Sequence, residues 1–329
     1  MLFGVALQSD KQPDHYVALA RAIDASGFDV VSVYNDLLYQ PALGPLLWMA
    51  PHLHRARLGP AALNPYTLHP LEIAGQTALL DMASQGRAYL GLARGAWLET
   101  LDLAVSRPLP TLREAVLLVR HLLARRPEAF TGRVFRLRAG ATLRYAPRRE
   151  QVPIMLGTWG VKTARLAGEV ADEVKIGGSA NPLLVPVIRA AIAAGARKAG
   201  RDPASIGMCL GAVTVIDADA RAARERARQE VAMYLPVVAH LDATLDDAAW
   251  LERLRLHAER DDYAAIASLI PDHVLDRFAF AGDPSMITRQ VESLAAAGAT
   301  RVEFGTPHGL ADPTQAIRLL GQRVIPHFA

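Results

Sequence analysis

The sequence predicts an α/β protein, a (β/α)8 TIM barrel with an inserted β-hairpin and extra helices in its C-terminal half. Short apolar, strand-like runs alternate with helix-period segments along almost the whole chain. Eight such strands in strict alternation argue for parallel pairing, and their number favours closure into a barrel. The 329 residues, 51% hydrophobic and 21% charged, are enough for one large core. The expectation is a single domain over residues 1–329, with insertions near 130–147 and 240–280. An open, doubly wound sheet is the alternative arrangement of the same elements.

The first strand is read at 2–8, followed by a helix near 13–26, a strand at 29–35 and a helix near 44–53. The third strand, 57–63, contains Gly59-Pro60. Proline cannot donate to a central ladder, so this is either a bulge at the barrel rim or a strand start with Pro at its edge. His69-Pro70 opens the next helix, 69–83, where His69 reads as a turn residue. A strand at 87–93 and a helix near 110–125 follow. Residues 130–147 then break the rhythm. Val134 to Arg138, then Ala139-Gly140, then Thr142 to Tyr145, read as a hairpin. Strands at 153–157, 173–178 and 206–215 lead into helices near 161–170, 182–199 and 218–239. Arg and Glu interleave from Arg221 to Glu230, the pattern of a solvated helix face. Residues 240–280 add further helix, an insertion of the kind that walls a barrel mouth or makes an oligomer contact. A helix near 284–297, the eighth strand at 300–305 and a helix at 313–323 complete the pattern.

Composition narrows the function classes. The net charge is +3, and the basic residues are scattered and nearly all Arg, so no nucleic-acid partner is expected. Cys209 is the one cysteine, which leaves no disulfide framework or cysteine metal cluster; in an apolar strand it reads as a small buried hydrophobe. No apolar run is long enough for a membrane span, and no signal peptide is read before the first strand, so the expected compartment is the cytoplasm.

In a barrel the site lies at the carboxyl ends of the strands. Those ends carry Gln8, Asn35-Asp36, Asn64, Arg94, Thr158-Trp159, Gly177-Gly178, Thr214, and Thr306 with His308. This polar ring holds no metal-ligand cluster, Ser-His-Asp order or Walker-type loop, and it suits a large planar or polar ligand. Gly157-Thr-Trp-Gly-Val-Lys-Thr163 leaves a strand and opens a helix, so its free backbone N–H groups make an anion site. Thr158 or Thr163 adds a hydroxyl, Lys162 a charge, and Gly177-Gly178 a second point of close approach. These residues alone equally describe glycines that turn the chain beside a solvated lysine. Asp36 and Glu99 are the candidate acids; each either serves the site or pairs with an arginine such as Arg94. His308 belongs to a substrate pocket or a surface loop, and Trp97 and Trp159 wall a planar ligand or join the core.

The run Leu58-Gly-Pro-Ala-Ala-Leu-Asn-Pro-Tyr-Thr-Leu-His-Pro70, with Glu72 following, and the run Leu80 to Leu92 resemble the luciferase-like superfamily of flavin- and deazaflavin-dependent oxidoreductases. Pro153 to Thr163, Leu166 to Asp172, Gly282-Asp-Pro-Ser285 and Gly298 to Val302 extend the likeness over nearly the whole chain. The most similar branch is that of coenzyme F420-dependent methylenetetrahydromethanopterin reductase. The resemblance implies a barrel, usually a homodimer, with the tricyclic ring of F420 or FMN in its mouth. It implies a bulge in strand three, often with a non-proline cis peptide, near Ala61–Ala62, with Asn64 beside the ring. Gly157, Thr158, Gly160, Val161, Lys162, Gly177 and Gly178 would hold the phosphate. The chain departs from the family in three places. Gln8 stands where the reductases carry an acid, Asn35-Asp36 where many relatives carry an acid–His pair, and Ala93 to Trp97 where a glycine-rich turn is usual. The expected activity is F420-dependent hydride transfer to or from a small organic substrate, with Asp36 or Glu99 as catalytic acid. Gln8, Asn35, Arg94, Trp97 and His308 would line the substrate pocket. Methylenetetrahydropterins, secondary alcohols, sugar phosphates and imines all suit this chemistry. The alternatives are an FMN-dependent monooxygenase using NAD(P)H-derived reduced flavin and oxygen, and a non-catalytic flavin-binding barrel.

Overall fold

The computed structural model describes residues 1–328. Its first half runs β1 (Leu2–Leu7), α1 (Pro13–Ala25), β2 (Val30–Val33), α2 (Leu43–Met49), β3 (Arg57–Pro60), α3 (Pro70–Ala83), β4 (Leu90–Leu92) and α4 (Pro108–Leu123). A small antiparallel pair, β5 (Phe130–Thr131) and β6 (Arg136–Leu137), precedes β7 (Ile154–Gly157), α5 (Val161–Val170), β8 (Glu173–Gly177), α6 (Leu184–Lys198) and β9 (Gly207–Ile216). Then come α7 (Ala220–Ala232), α8 (Leu235–Val238), α9 (Ala248–Ala258), α10 (Tyr263–Ser268) and α11 (Asp272–Phe278). The chain finishes with β10 (Ala279–Gly282), α12 (Pro284–Ala297), β11 (Arg301–His308) and α13 (Pro313–Arg323). No described helix is long and apolar enough to cross a membrane.

Eight strands form the parallel barrel in the order β1, β2, β3, β4, β7, β8, β9, β11, and β11 returns to β1. They are the eight strands expected from the sequence. The β3–β4 seam is the thinnest, joined by bridges at Leu58–Ala88 and Leu63–Leu92. Two glycines allow the strands to meet there. A Cβ on Gly91 would lie 2.1 Å from the Pro60 carbonyl oxygen, and one on Gly59 would lie 2.2 Å from that of Tyr89. Gly91→Val is therefore expected to cost about 3 kcal/mol by overpacking against rigid backbone. Urea denaturation checks this, and an unchanged midpoint would refute the seam's tightness.

Most later helices start on a capping carboxylate. Asp219, Asp247, Asp262, Asp283 and Asp312 each accept from a first-turn N–H of α7, α9, α10, α12 and α13. At α3 the His69 side chain accepts from Leu71 N. At α5 no side chain caps the helix, which matters at the site.

Three elements differ from the sequence expectation. The hairpin turns at Gly132 to Phe135 and pairs Phe130 with Leu137, so Thr142 to Tyr145 are not its second strand. The reason is Glu114 on α4, whose carboxylate accepts from the backbone N–H groups of Arg133, Val134 and Phe135 at 2.7–2.9 Å and so sets the turn. The helix expected over 218–239 breaks at Met233-Tyr234, because Pro236 enters the first turn of α8 and cannot donate. Residues 240–280 hold the expected helices but end in a strand. Here β8 pairs with the first half of β9, and β10 pairs with Val213 to Ile216 beyond it. The insertion packs a core of its own against that extension, around Trp250, Leu254, Leu275 and Phe278.

Candidate functional site at the barrel mouth

The pleat sends alternate residues of each strand into the barrel lumen. A Cβ on Gly4 would sit 3.2 Å from Arg301 and Glu303, and one on Gly211 3.2 Å from the Lys175 stem, so glycines make room for long charged side chains. Those chains form a closed network. Arg301, fully buried, binds Glu173 through two contacts at 2.9 Å and Glu303 at 2.7 Å. Lys175 donates to the other oxygen of Glu303. Ser32 donates to Glu303 at 2.5 Å and meets the Tyr89 hydroxyl at 2.6 Å. Burial alone would raise the Glu303 carboxyl, but Lys175 and Arg301, helped by Ser32, hold it well below the usual glutamate range. A small apolar cluster of Val30, Tyr89 and Met155 packs beside this network.

Above the network stands Asp36. It accepts from the Gln8 amide at 3.1 Å, and no arginine pairs with it among the described residues. Burial raises its carboxyl above the ordinary aspartate range, against the opposing pull of Gln8 and Lys175. Tyr34 lies between: the Lys175 ammonium is 5.5 Å from its ring centroid, and its hydroxyl donates to no described protein group. Burial, followed by the nearby negative charges of Glu303 and Asp36, pushes the Tyr34 phenol up, so it stays protonated. A raised carboxyl and an unpartnered phenol two residues apart at the end of β2 are what proton-transfer sites are built from.

At the end of β3 the peptide between Ala61 and Ala62 is cis, in the position the resemblance assigns to it. Asn64 is buried, and its Oδ1 accepts from Tyr66 N, Thr67 N and Thr67 Oγ1, which folds the loop after β3; its amide nitrogen donates to no described protein group. At the end of β7, Thr158 Oγ1 accepts from Gly160 N at 2.9 Å, while the amides of Val161, Lys162 and Thr163 have no protein partner among the described residues. The Lys162 side chain is exposed. Trp159 crosses from this loop to the end of β8, donating from Nε1 to Gly177 O at 2.8 Å and stacking on Phe278. A Cβ on Gly177 would meet nothing within 4 Å, so the backbone there borders open space.

The remaining sequence candidates separate. Gln8 joins the mouth, and its buried Oε1 has no partner. Asn35 accepts from Ala42 N at 3.0 Å and so pins the start of α2. Arg94, Trp97 and Glu99 are exposed, around the 3-10 turn that follows β4. His308 is 1% exposed and its Nε2 faces Phe304 O; burial lowers it to about 4, so it is neutral. Sequence reasoning missed Tyr34 and the lumen network. The available signal was a charge at every second position, Glu173-Val-Lys175 and Arg301-Val-Glu303, in strands otherwise apolar.

The luciferase-like monooxygenase family matches residues 1–301. The chain belongs to that family. Among members, 5,10-methylenetetrahydromethanopterin reductase of Archaeoglobus fulgidus is 30% identical, over 99% of both chains. The protein of the same name from Methanolobus tindarius is 31% identical, over 94% of both chains. The solved coenzyme F420-dependent tetrahydromethanopterin reductase of Methanopyrus kandleri superposes with a TM-score of 0.91 at 27% identity, covering 100% of this chain and 99% of its own. The luciferase-like barrel thus accounts for the fold from end to end.

Proposed function

We propose that this luciferase-like protein is an F420-dependent oxidoreductase that moves a hydride between a deazaflavin and a small organic substrate of the methylenetetrahydropterin kind. The observation that carries the reading is the barrel mouth. There the end of strand three at Ala61–Ala62, the free amides of Val161 and Lys162, and the raised carboxyl of Asp36 share one end of the barrel. The residues present fit such a cofactor. The uncapped start of α5 and the open edge at Gly177 suit a phosphate, and the unpartnered Gln8 Oε1 and Asn64 amide suit the polar edge of a ring. Full-length relatives named as F420-dependent or methanopterin-linked reductases support the choice of deazaflavin.

A bound deazaflavin would supply the hydride chemistry. The chain's share is to hold the ring at the end of β3, to grip the phosphate through Gly160, Val161 and Lys162, and to carry a proton on Asp36. Asp36 gives its proton to the substrate atom that gains charge as the hydride arrives, and takes it back in the reverse direction. Its raised carboxyl favours the protonated form. Substrate reduction is therefore expected to hold steady at low pH and to fall as pH rises through the Asp36 value. Glu99, exposed on its turn, is not needed for this step.

Fluorescence titration with oxidised F420 and, separately, with FMN tests the cofactor. The expected result is F420 binding at least about tenfold tighter, a preference of about 1.4 kcal/mol. The opposite preference would favour the oxygen-using FMN branch of the family. Binding of neither would refute the phosphate grip.

A further inference from the structure

Trp159 belongs to two packing units at once. Its ring lies partly buried against the barrel core and against the separate core of the insertion, stacked on Phe278 with centroids 6.4 Å apart and planes 19° apart. Its indole N–H donates to Gly177 O at 2.8 Å. That bond has a definite place in the sheet. β7 and β8 pair from Met155–Glu173 to Gly157–Lys175, and Thr158 N then donates to Lys175 O at 2.9 Å. Alternate carbonyls of a parallel strand point at the same neighbour, so Gly177 O is the next acceptor on that edge and Gly160 N the next donor in step with it. Gly160 N goes instead to Thr158 Oγ1 at 2.9 Å. The indole takes the carbonyl that the backbone has given up. We propose that Trp159 is a positioning residue for the phosphate: its indole N–H ends the β7–β8 ladder in place of a backbone amide, and so lets the loop turn into α5 with the amides of Val161 and Lys162 unspent. This rests on the reading of that loop as the phosphate grip.

The same bond serves the site in a second way. An anion site has to present N–H groups and keep C=O groups turned aside. The backbone at Gly177 borders open space, so a free carbonyl there would offer its negative end to the phosphate that the neighbouring amides attract. With the indole bound, that oxygen is spent. The ring itself is held by the insertion. Phe278, beneath it, is fully buried at the end of α11, and its carbonyl accepts from the Tyr234 hydroxyl at 2.7 Å. One residue earlier, Arg277 O accepts from Ala180 N at 2.8 Å, which ties the loop after β8 to the same helix. A Cβ on Gly178 would lie 3.3 Å from the Tyr234 ring, so that loop also runs against α8. The loops after β7 and β8 are therefore braced by one unit, and Trp159 is the side chain that joins them to each other.

The test is a binding measurement on the full-length protein without substrate. Trp159→Phe keeps a ring over Phe278 and removes the N–H. Benzothienylalanine placed at position 159 keeps the fused ring too and puts sulfur where the N–H was. Parent and variants are titrated, by fluorescence, with the riboflavin-level deazaflavin carrying a terminal phosphate and with the same deazaflavin lacking it. The two probes differ by the phosphate alone, so their affinity ratio reads the grip and cancels damage to the ring pocket. The parent should prefer the phosphorylated probe by about tenfold or more. Each variant should lose most of that preference, binding the phosphorylated probe about tenfold more weakly and the other within about twofold of the parent. A tryptophan that only packs would weaken both probes alike. Variants that keep the parent's preference, or that weaken both probes alike, overturn the role of Trp159 and leave the grip standing. A parent without preference overturns the grip itself, and this inference with it. Should Trp159→Phe fail to fold, the benzothienyl variant alone decides.

Discussion

Asp36→Asn is expected to lower turnover in the reducing direction by about 10²–10⁴-fold, the usual worth of a positioned general acid. The substitution keeps the shape of the side chain and leaves an amide oxygen to accept from Gln8, which now holds the carboxylate at 3.1 Å. It removes the proton. F420 affinity should therefore change by no more than a few-fold, since none of the groups assigned to the phosphate or the ring is touched. The fall in rate on the alkaline side should also vanish, because the group whose ionisation causes it is gone. Steady-state rates across pH, with the cofactor dissociation constant measured alongside, separate these effects. Full turnover with an unaltered pH profile would remove Asp36 from the chemistry. The acid would then have to be sought at Tyr34, the other proton-bearing group of the mouth without a protein partner.

Glu303→Ala is expected to destabilise the fold by about 3–5 kcal/mol, the range seen when one member of a buried ion pair is deleted. Glu303 is 0% exposed and receives Lys175, Arg301 and Ser32. Truncation would strand an ammonium inside the barrel and leave Arg301 with Glu173 alone. The pH dependence has a definite sign. The carboxyl of Glu303 is held below its ordinary value of 4.5 in the folded state. Its contribution is present in full above that ordinary value and is lost as pH falls toward the depressed native one. The parent should therefore lose stability on acidification more steeply than the variant. Urea midpoints at neutral and acid pH read both effects. A variant as stable as the parent at neutral pH would show that the lumen network contributes nothing net to folding.

Much of this molecule is legible along the chain because the governing physics is local. Strand, turn and helix repeat, and the helix that follows each strand packs back onto it. The eight strands read from apolar runs are accordingly the eight barrel strands, and Gly59-Pro60 ends the short third strand in regular register with β2. The opening of α5 at Gly160 was legible for the same reason: a glycine-rich step from strand to helix leaves backbone donors free, whatever surrounds it. The exceptions have non-local causes. The register of the β5–β6 pair depends on Glu114, a residue of the preceding helix that supplies three hydrogen bonds to the turn. In the same way β10 is a strand because β8 leaves half of the long β9 unpaired.

By itself the sequence determined the barrel, its strand order, the oxidoreductase family and the end of the barrel at which the polar residues gather. Only the tertiary structure decided which of those residues work together. Lys175 and Glu303 lie 128 positions apart, and Gln8 and Asp36 lie 28 apart. Alternation in a strand says that a charge faces the lumen. Which opposite charge it meets, and which carboxyl is left without one, follows from the closure and stagger of eight strands around a common axis, a long-range geometry that no local pattern encodes.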